Sequence, residues 1–360
     1  MTSGPMHSAI KVLVVDDSAL IRQMLTRVLS LDPRIEVVGV ARNGVEAIEK
    51  ARTLEPDVIT LDVEMPELTG LEALPHLKRL SDARVIMLST LDDPDTTYAA
   101  LSRGAVDFLT KPKAGVASSL AELSDLLLKK IRIAYRIDPE HMAAAERVFG
   151  DTPPPAAPKR TDTAPIALEY VVAVAASTGG PPALERVFSG LSSAIPAAFL
   201  LVQHLPAGFT ASLARRLCSA SDIPVLEARE GMVVKQGTAY VAPHGVHMTV
   251  ARSNRDVCRL LLEDGEPIHG VKPAADPLFA AVARTYGEHA VGVVLTGMGS
   301  DGAEGLAAIR DAGGETIVQN EETSVVWGMP GAAVKRKAAG HVVPLGLVAA
   351  EIRRTMREKA

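Results

Sequence analysis

Residues 11–30 read KVLVVDDSALIRQMLTRVLS. The run KVLVV has the aliphatic, β-branched character of a buried strand. Two aspartates and a serine follow. Apolar residues then recur at 20, 21, 24, 25, 28 and 29, a 3.6-residue stripe, with Ser18 placed to cap its start. A strand that runs straight into an amphipathic helix is half of a βαβ unit. The alternation continues outward through IEVVG (35–39), DVITL (57–61), RVIML (84–88) and VDFLT (106–110). Five strand–helix units predict a doubly wound parallel α/β domain ending near residue 137.

A change of composition marks the end of that domain. Between Asp151 and Pro165, five of fifteen residues are proline, so the segment cannot form a core and reads as an extended linker. The expected division is a first domain over 1–137, a Pro-rich linker over 138–165 and a second domain over 166–360. The α/β pattern restarts at YVVAVA (170–175) and AAFLLVQ (197–203) and ends with AVGVVLT (290–296) and ETIVQN (315–320). Between them AYVAP (239–243), HMTVA (247–251) and VCRLLLE (257–263) follow one another without helices. That part is expected to be an antiparallel hairpin region, flanked by parallel strands.

Composition narrows the function. The 360 residues carry 38 basic and 43 acidic side chains, net −5, with only 3% aromatics. A general nucleic-acid binder would show a basic excess and stacking rings, so no nucleic-acid partner is expected. Two cysteines make no disulfide framework, which favours a cytoplasmic protein. The first nine residues lack a basic and an apolar signal region. The uncharged stretch 187–214 is interrupted by Pro196, Gln203, His204, Pro206 and Gly208, so no direct membrane insertion is expected.

In open α/β sheets ligands bind beyond the C-terminal strand ends. Asp16 and Asp17 stand there after the first strand, Asp62 at the third, Ser89 at the fourth and Lys111 at the fifth. Any one aspartate can be a helix cap or a turn residue. Three carboxylates on one edge repel unless a cation joins them, and clustered hard oxygens suit Mg²⁺. An aspartate can itself accept a phosphoryl group. The segments VVDDS, LDVEMPELTG, MLST and FLTKP, within residues 10–113, resemble a two-component receiver domain, a flavodoxin-like fold. The resemblance implies Asp62 as phosphoacceptor, Asp16, Asp17 and Asp62 as Mg²⁺ ligands, and Ser89, Phe108 and Lys111 as the phosphate switch. It further implies a cis Lys111-Pro112 peptide and a histidine kinase as phosphodonor. Thr69-Gly70 departs from the commoner Asp-Gly.

The second domain offers VAVAASTGGPPALERVF (172–188), which reads strand, sharp turn, helix. Ser177 at the turn is a candidate nucleophile beside unpaired N–H groups and the positive end of a helix, or simply a helix cap. Of nine histidines, His204 directly follows an apolar strand, which places it on the ligand-binding edge. Asp301 lies in the loop LTGMGSDGAEG (295–305) between a strand and a helix. The same loop spells G-x-G-x-x-G at 297, 299 and 302, with Glu321 and Glu322 about 20 residues on. That dinucleotide fingerprint is disfavoured, because Asp301 would face a pyrophosphate. The spacing of His244 and His247 hints at a metal, but no third ligand accompanies them.

The order Ser177, His204, Asp301 differs from the familiar triad orders, but it is similar to that of one family. ASTGGPPAL, LVQHLPAGFTASLARRL, AYVAPHGVHM, LTGMGSDGAEGL and TSVVWGMPGAA, within 169–356, resemble the catalytic domain of the CheB-type chemotaxis protein-glutamate methylesterases. The resemblance implies a serine hydrolase with Ser177 as nucleophile, His204 as base, Asp301 orienting it, and oxyanion donors at Met298 and Thr178, without a cofactor in this domain. It implies glutamyl methyl esters, and glutamines, on the cytoplasmic helices of chemoreceptors as substrates. The phosphorylated first domain would activate the second by uncovering its Ser177 edge. Two departures stand out: Lys272-Pro273-Ala274 where Arg-Pro-Ser is common before Asp276, and Asn320 where aspartate is frequent. The alternative is a stoichiometric signalling module that binds a receptor or partner without turnover.

Overall fold

The computed structural model describes residues 9–89, 94–111, 117–150, 168–253 and 257–357. The chain divides into two compact units, Met1–Pro139 and Glu140–Ala360. No helix of the described residues is long and apolar enough to cross a membrane.

The first unit is built on β1 (Ile10–Val15), β2 (Ile35–Ala41), β3 (Val58–Asp62), β4 (Arg84–Ser89) and β5 (Asp107–Thr110). They lie in the order β2-β1-β3-β4-β5, and every pair is parallel. The helices are α1 (Ala19–Leu29), α2 (Gly44–Leu54), α3 (Gly70–Leu80), α4 (Pro94–Ser102) and α5 (Ala117–Arg136). Polar caps fix where three of them start. Ser18 accepts from the Ile21 amide and Asn43 from the Glu46 amide. Thr69 and Glu72 close a reciprocal capping box, which satisfies helix N–H groups that have no partner of their own. Every residue of β3 is buried, as helices on both faces of a parallel sheet require.

The second unit carries a seven-stranded sheet. Its strands are β6 (Tyr170–Ala176), β7 (Ala197–Gln203), β8 (Val225–Glu227), β9 (Ala239–Val241), β12 (Ala290–Val294), β13 (Glu315–Gln319) and β14 (His341–Val343). The order is β14-β13-β12-β6-β7-β9-β8, again with every pair parallel. Around it pack α7 (Gly180–Ser189), α8 (Thr210–Ala220), α9 (Ala275–Tyr286), α10 (Ala303–Asp311), α11 (Gly328–Lys335) and α12 (Leu345–Arg357). All seven residues of β6 and all seven of β7 are buried. Each large aliphatic side chain so enclosed contributes about 1.5–3 kcal/mol, so these two strands anchor the domain. The Phe188 and Phe199 rings, 5.5 Å apart and tilted, seal α7 onto β7.

Two sequence expectations need correction, and two edge strands were not read at all. The expected antiparallel region is smaller than read. Among the strands of the described residues, β10 (His247–Arg252) and β11 (Cys258–Glu263) alone pair antiparallel, His247 facing Glu263 and Arg252 facing Cys258. β9 instead pairs parallel with β7 and β8. Its three residues are buried, as an inner strand demands. The edge strands β8 and β14 have three residues each, too few to show a period. Last, the N-terminal part of the expected linker is helix α6 (Pro139–Gly150). Proline suits a first helical position, and Met142 and Ala145 supply a buried i, i+3 pair. The proline-rich residues 151–165, Pro112 of the expected cis peptide and the first eight residues lie outside the described residues.

Candidate active and phosphoacceptor sites

In each unit the strand order reverses beside the first strand, between β1 and β3 and between β6 and β12. Such a switch point opens a crevice at the C-terminal strand ends. The candidate residues of both units fall there.

In the first unit the Lys111 ammonium lies 2.8 Å from Asp16 Oδ2 and 2.6 Å from Asp62 Oδ2. Asp16 and Asp62 are buried, while Asp17 is exposed. One oxygen of each of the three lies within 4.8 Å of the others. A cleft of about 560 Å³ opens over them, lined among others by Asp17, Asp62, Ser89 and Lys111. Burial pushes the Asp62 carboxyl up to about 6, Lys111 opposing and Asp16 and Asp17 assisting. Burial works against the Lys111 charge, but Asp16 and Asp62 outweigh it and raise its pKa. Two buried carboxylates beside a third, with one lysine between them, leave negative charge uncompensated. Hard oxygen donors opening on a roomy cleft fit Mg²⁺. Ser89 is buried at the end of β4, and its Oγ accepts from Thr97 Oγ1 of α4 at 2.8 Å. Phe108 is buried on β5 opposite Met87.

In the second unit Ser177 leaves β6 at the turn before α7. Its amide donates to the Thr296 carbonyl at 3.0 Å and its carbonyl accepts from Gly180 at 2.8 Å. The Gly297 backbone passes so close that a Cβ there would lie 2.8 Å from Ser177 Cβ. This position must be glycine for the 297–302 loop to meet the Ser177 turn. His204 follows β7, and its amide donates to the Ala176 carbonyl at 3.2 Å. Its Nε2 lies 2.8 Å from Asp301 Oδ2. Asp301 is 1% exposed and accepts further from the Ala275 amide at 2.7 Å and the Asp276 amide at 3.1 Å. Those two amides open α9, whose own N-cap, Ala274, has no side chain to offer. Burial works to raise the Asp301 pKa, but His204 and the two amides prevail and hold it below the usual carboxylate range. An ionised Asp301 makes His204 Nε2 the donor, so Nδ1 is the nitrogen left to take a proton.

The structure thus brings His204 and Asp301 into contact and sets Ser177 beside the Asp301 loop. A Ser177–His204 hydrogen bond is not among those of the described residues. Such bonds are commonly long before substrate arrives. Met298 is half-buried in the same loop, and its amide makes no hydrogen bond among the described residues. Thr178 is buried, its carbonyl accepting from Thr296 Oγ1 at 3.0 Å. His244 and His247 do not converge. His244 Nδ1 donates to the Leu205 carbonyl, and His247 bridges the Ala274 amide and the Glu266 carbonyl.

Residues 172–352 match the family model described as CheB methylesterase, and residues 12–118 that described as response regulator receiver domain. The chain belongs to the CheB methylesterase family. It is 45% identical over 349 residues to the protein-glutamate methylesterase/protein-glutamine glutaminase of Pyrococcus horikoshii, covering 94% of this chain and 92% of that protein. It is also 45% identical over 358 residues to protein-glutamate methylesterase/protein-glutamine glutaminase 1 of Xanthomonas campestris pv. campestris, covering 96% of each. The crystal structure of the Thermotoga maritima CheB methylesterase catalytic domain aligns at a TM-score of 0.50 and 36% identity, over 51% of this chain and 96% of that one.

Several residues that shape this CheB-family site were not singled out from sequence. Asp276 Oδ1 accepts from the Gly305 amide at 2.6 Å in the first turn of α10. Asp301, just before α10, caps α9, and Asp276, at the start of α9, caps α10. The two helix starts therefore hold each other. Asp276 Oδ2 also receives His269 Nε2 at 2.7 Å. His269, Asp276 and Asp301 could be read as a metal cluster by proximity. Both Asp301 oxygens and Asp276 Oδ1 are spent on N–H groups at helix starts, whose positive ends favour anions over cations. Thr296 joins both loops: its carbonyl takes Ser177, and its amide donates to Gln319 Oε1 at 2.8 Å. The two departures from the family pattern are absorbed locally. Lys272 Nζ is spent on Asp264 and the Gly265 carbonyl. Asn320 Oδ1 accepts from Thr323, and its Nδ2 donates to Glu322.

Proposed function

We propose that the chain is a phosphorylation-activated protein-glutamate methylesterase that also deamidates protein glutamine, with chemoreceptor cytoplasmic helices as substrate. The observation that carries this reading is the His204–Asp301 pair at the switch point where β6 delivers Ser177. Ser177 Oγ attacks the ester carbonyl while His204 Nδ1 takes its proton. The Met298 amide, with Thr178 beside it, donates to the oxyanion. The tetrahedral intermediate collapses, and methanol leaves with the proton from His204. Water then gives a proton to His204 and adds to the acyl carbon, and Ser177 leaves reprotonated. The product is a free glutamate. For a glutamine the leaving group is ammonia and the rest is unchanged. Asp301 orients the imidazole and balances its transient charge.

The first unit accepts a phosphoryl group at Asp62 from a histidine kinase. Asp16, Asp17 and Asp62 would hold Mg²⁺, whose charge offsets that of the incoming phosphoryl oxygens. Lys111 pairs with the new anion, and Ser89 and Phe108 respond to it. Residues 1–137 are the receiver, 138–165 the connection and 166–360 the hydrolase, acting in the cytoplasm. The test is methanol release from methylated receptor. Ser177→Ala abolishes it if the reading holds. Binding of receptor without methanol from the wild type would favour the non-catalytic signalling module instead.

A further inference from the structure

We propose that Gln203 is a positioning residue for the hydrolysis, its side-chain amide clipping the nucleophile turn to the base. The inference rests on the assignment of Ser177 and His204 made above. Gln203 is the last residue of β7 and is 1% exposed. Its Nε2 donates to the Ser177 carbonyl at 2.8 Å and to the His204 carbonyl at 3.3 Å. One amide group thus spends both N–H donors on the backbones of the two reacting residues. The reverse orientation would set Oε1 against two carbonyl oxygens, so the network fixes the direction of the amide.

The other end of the amide shows that the arrangement carries a cost. Gln203 Oε1 is buried and has no hydrogen-bond partner among the described residues. It faces the start of α7, where a Cβ on Gly180 would fall 1.9 Å from it. Gly180 is therefore a glycine that makes room for this oxygen. The six preceding residues of β7 are Ala197 to Val202, all apolar and all buried. An apolar residue at 203 would continue that pattern without an orphaned acceptor. Gln319, which closes β13 on the far side of the site, differs. Its Oε1 takes the Thr296 amide and its Nε2 the Thr323 carbonyl, and it reaches neither Ser177 nor His204. Holding the half-satisfied Gln203 amide is explained by what its donors touch. The separation of Ser177 Oγ and His204 Nδ1 follows from the separation of the two backbones the amide joins. A misplacement of about 1 Å at such a pair can cost on the order of 100-fold in rate.

The test compares Gln203→Glu and Gln203→Met in the full chain with the wild type and with Ser177→Ala, using methylated receptor and scaling kcat to the folded fraction found by thermal melting. Gln203→Glu keeps the shape but, ionised, offers two acceptors to two carbonyls. Gln203→Met keeps length and removes both donors. The expected result is a fall of about 10–100-fold in kcat per folded molecule, with KM within about twofold. A wild-type kcat per folded molecule in both variants overturns the inference, including the case where total activity falls only because less protein folds. A rise in KM with kcat unchanged overturns it as well. Activity surviving in Ser177→Ala would instead overturn the assignment of the site.

Discussion

Asp301 Oδ2 lies 2.8 Å from His204 Nε2, and the same oxygen accepts the Ala275 amide at 2.7 Å. One buried carboxylate therefore holds the His204 ring and caps the start of α9. Asp301→Asn should lower kcat by about 10³–10⁴-fold with little change in KM, because an amide cannot hold the same tautomer. Removing Ser177 or His204 alone should cost as much as removing both. Additive losses in the double variant would contradict a single catalytic unit.

The same carboxylate predicts an acid-sensitive share of stability. Its pKa is lower folded than unfolded, so its contribution is present above the ordinary value of about 4 and is lost as pH falls through the folded value. Asp301→Asn should lower the urea midpoint at pH 7, and the gap to the wild type should narrow below about pH 4. A gap that widens in acid would contradict the assignment of Asp301 as an ionised cap.

Asp62→Asn should stop acid-labile labelling by a small phosphodonor, and EDTA should stop it in the wild type. Asp16→Asn should weaken labelling at low Mg²⁺ and recover in part at high Mg²⁺. Undiminished labelling of the Asp62 variant would reject it as the acceptor.

Asp32 gives the first unit its own pH signature. The Arg34 guanidinium grips both its oxygens, at 2.9 and 2.8 Å, and Arg132 of α5 lies 3.7 Å away. The Arg34 hydrogen bonds hold its pKa down to about 2 against the effect of burial. This stabilisation is complete above about pH 4 and drains away as pH falls toward 2. Asp32→Asn should destabilise fragment 1–139 slightly at pH 7, the difference closing between about pH 4 and 2 in urea titrations. A constant difference across that range would show that ionisation of Asp32 is not involved.

Fragment 166–360 should demethylate receptor faster than the unphosphorylated full chain, and phosphodonor should raise only the latter. Equal rates for the two forms would mean that the receiver does not restrain the hydrolase.

The sequence made the parallel core legible because strand and helix periods alternate cleanly from Lys11 to Thr110 and again at both ends of the second unit. It placed Ser177, His204 and Asp301 at strand ends because an apolar run stops just before the first two and shortly before the third. The three-residue strands β8 and β14 left no periodic trace, and β9 was grouped with the hairpin that follows it because no helix separates them. Helix α6 was hidden by the prolines beyond it. Gln203 reaches the Ser177 carbonyl and Asp276 the Gly305 amide, both brought in from distant segments, and no local pattern reports such partners. A polar residue closing the apolar run AAFLLV was the one visible sign of Gln203.

The reciprocal capping of α9 and α10 has a consequence for how activity is lost. Asp301 reaches the α9 amides, and Asp276 the Gly305 amide, only when both helices are docked. A fluctuation that frees either helix releases both carboxylates together, and with them the partner that orients His204. With the proposed roles of His204 and Asp301, activity should be all-or-none with respect to this one helix pair. Under mild denaturant, turnover should vanish at concentrations that leave β6 and β7 intact, and amide exchange at Ala275, Asp276 and Gly305 should accelerate in step with that loss.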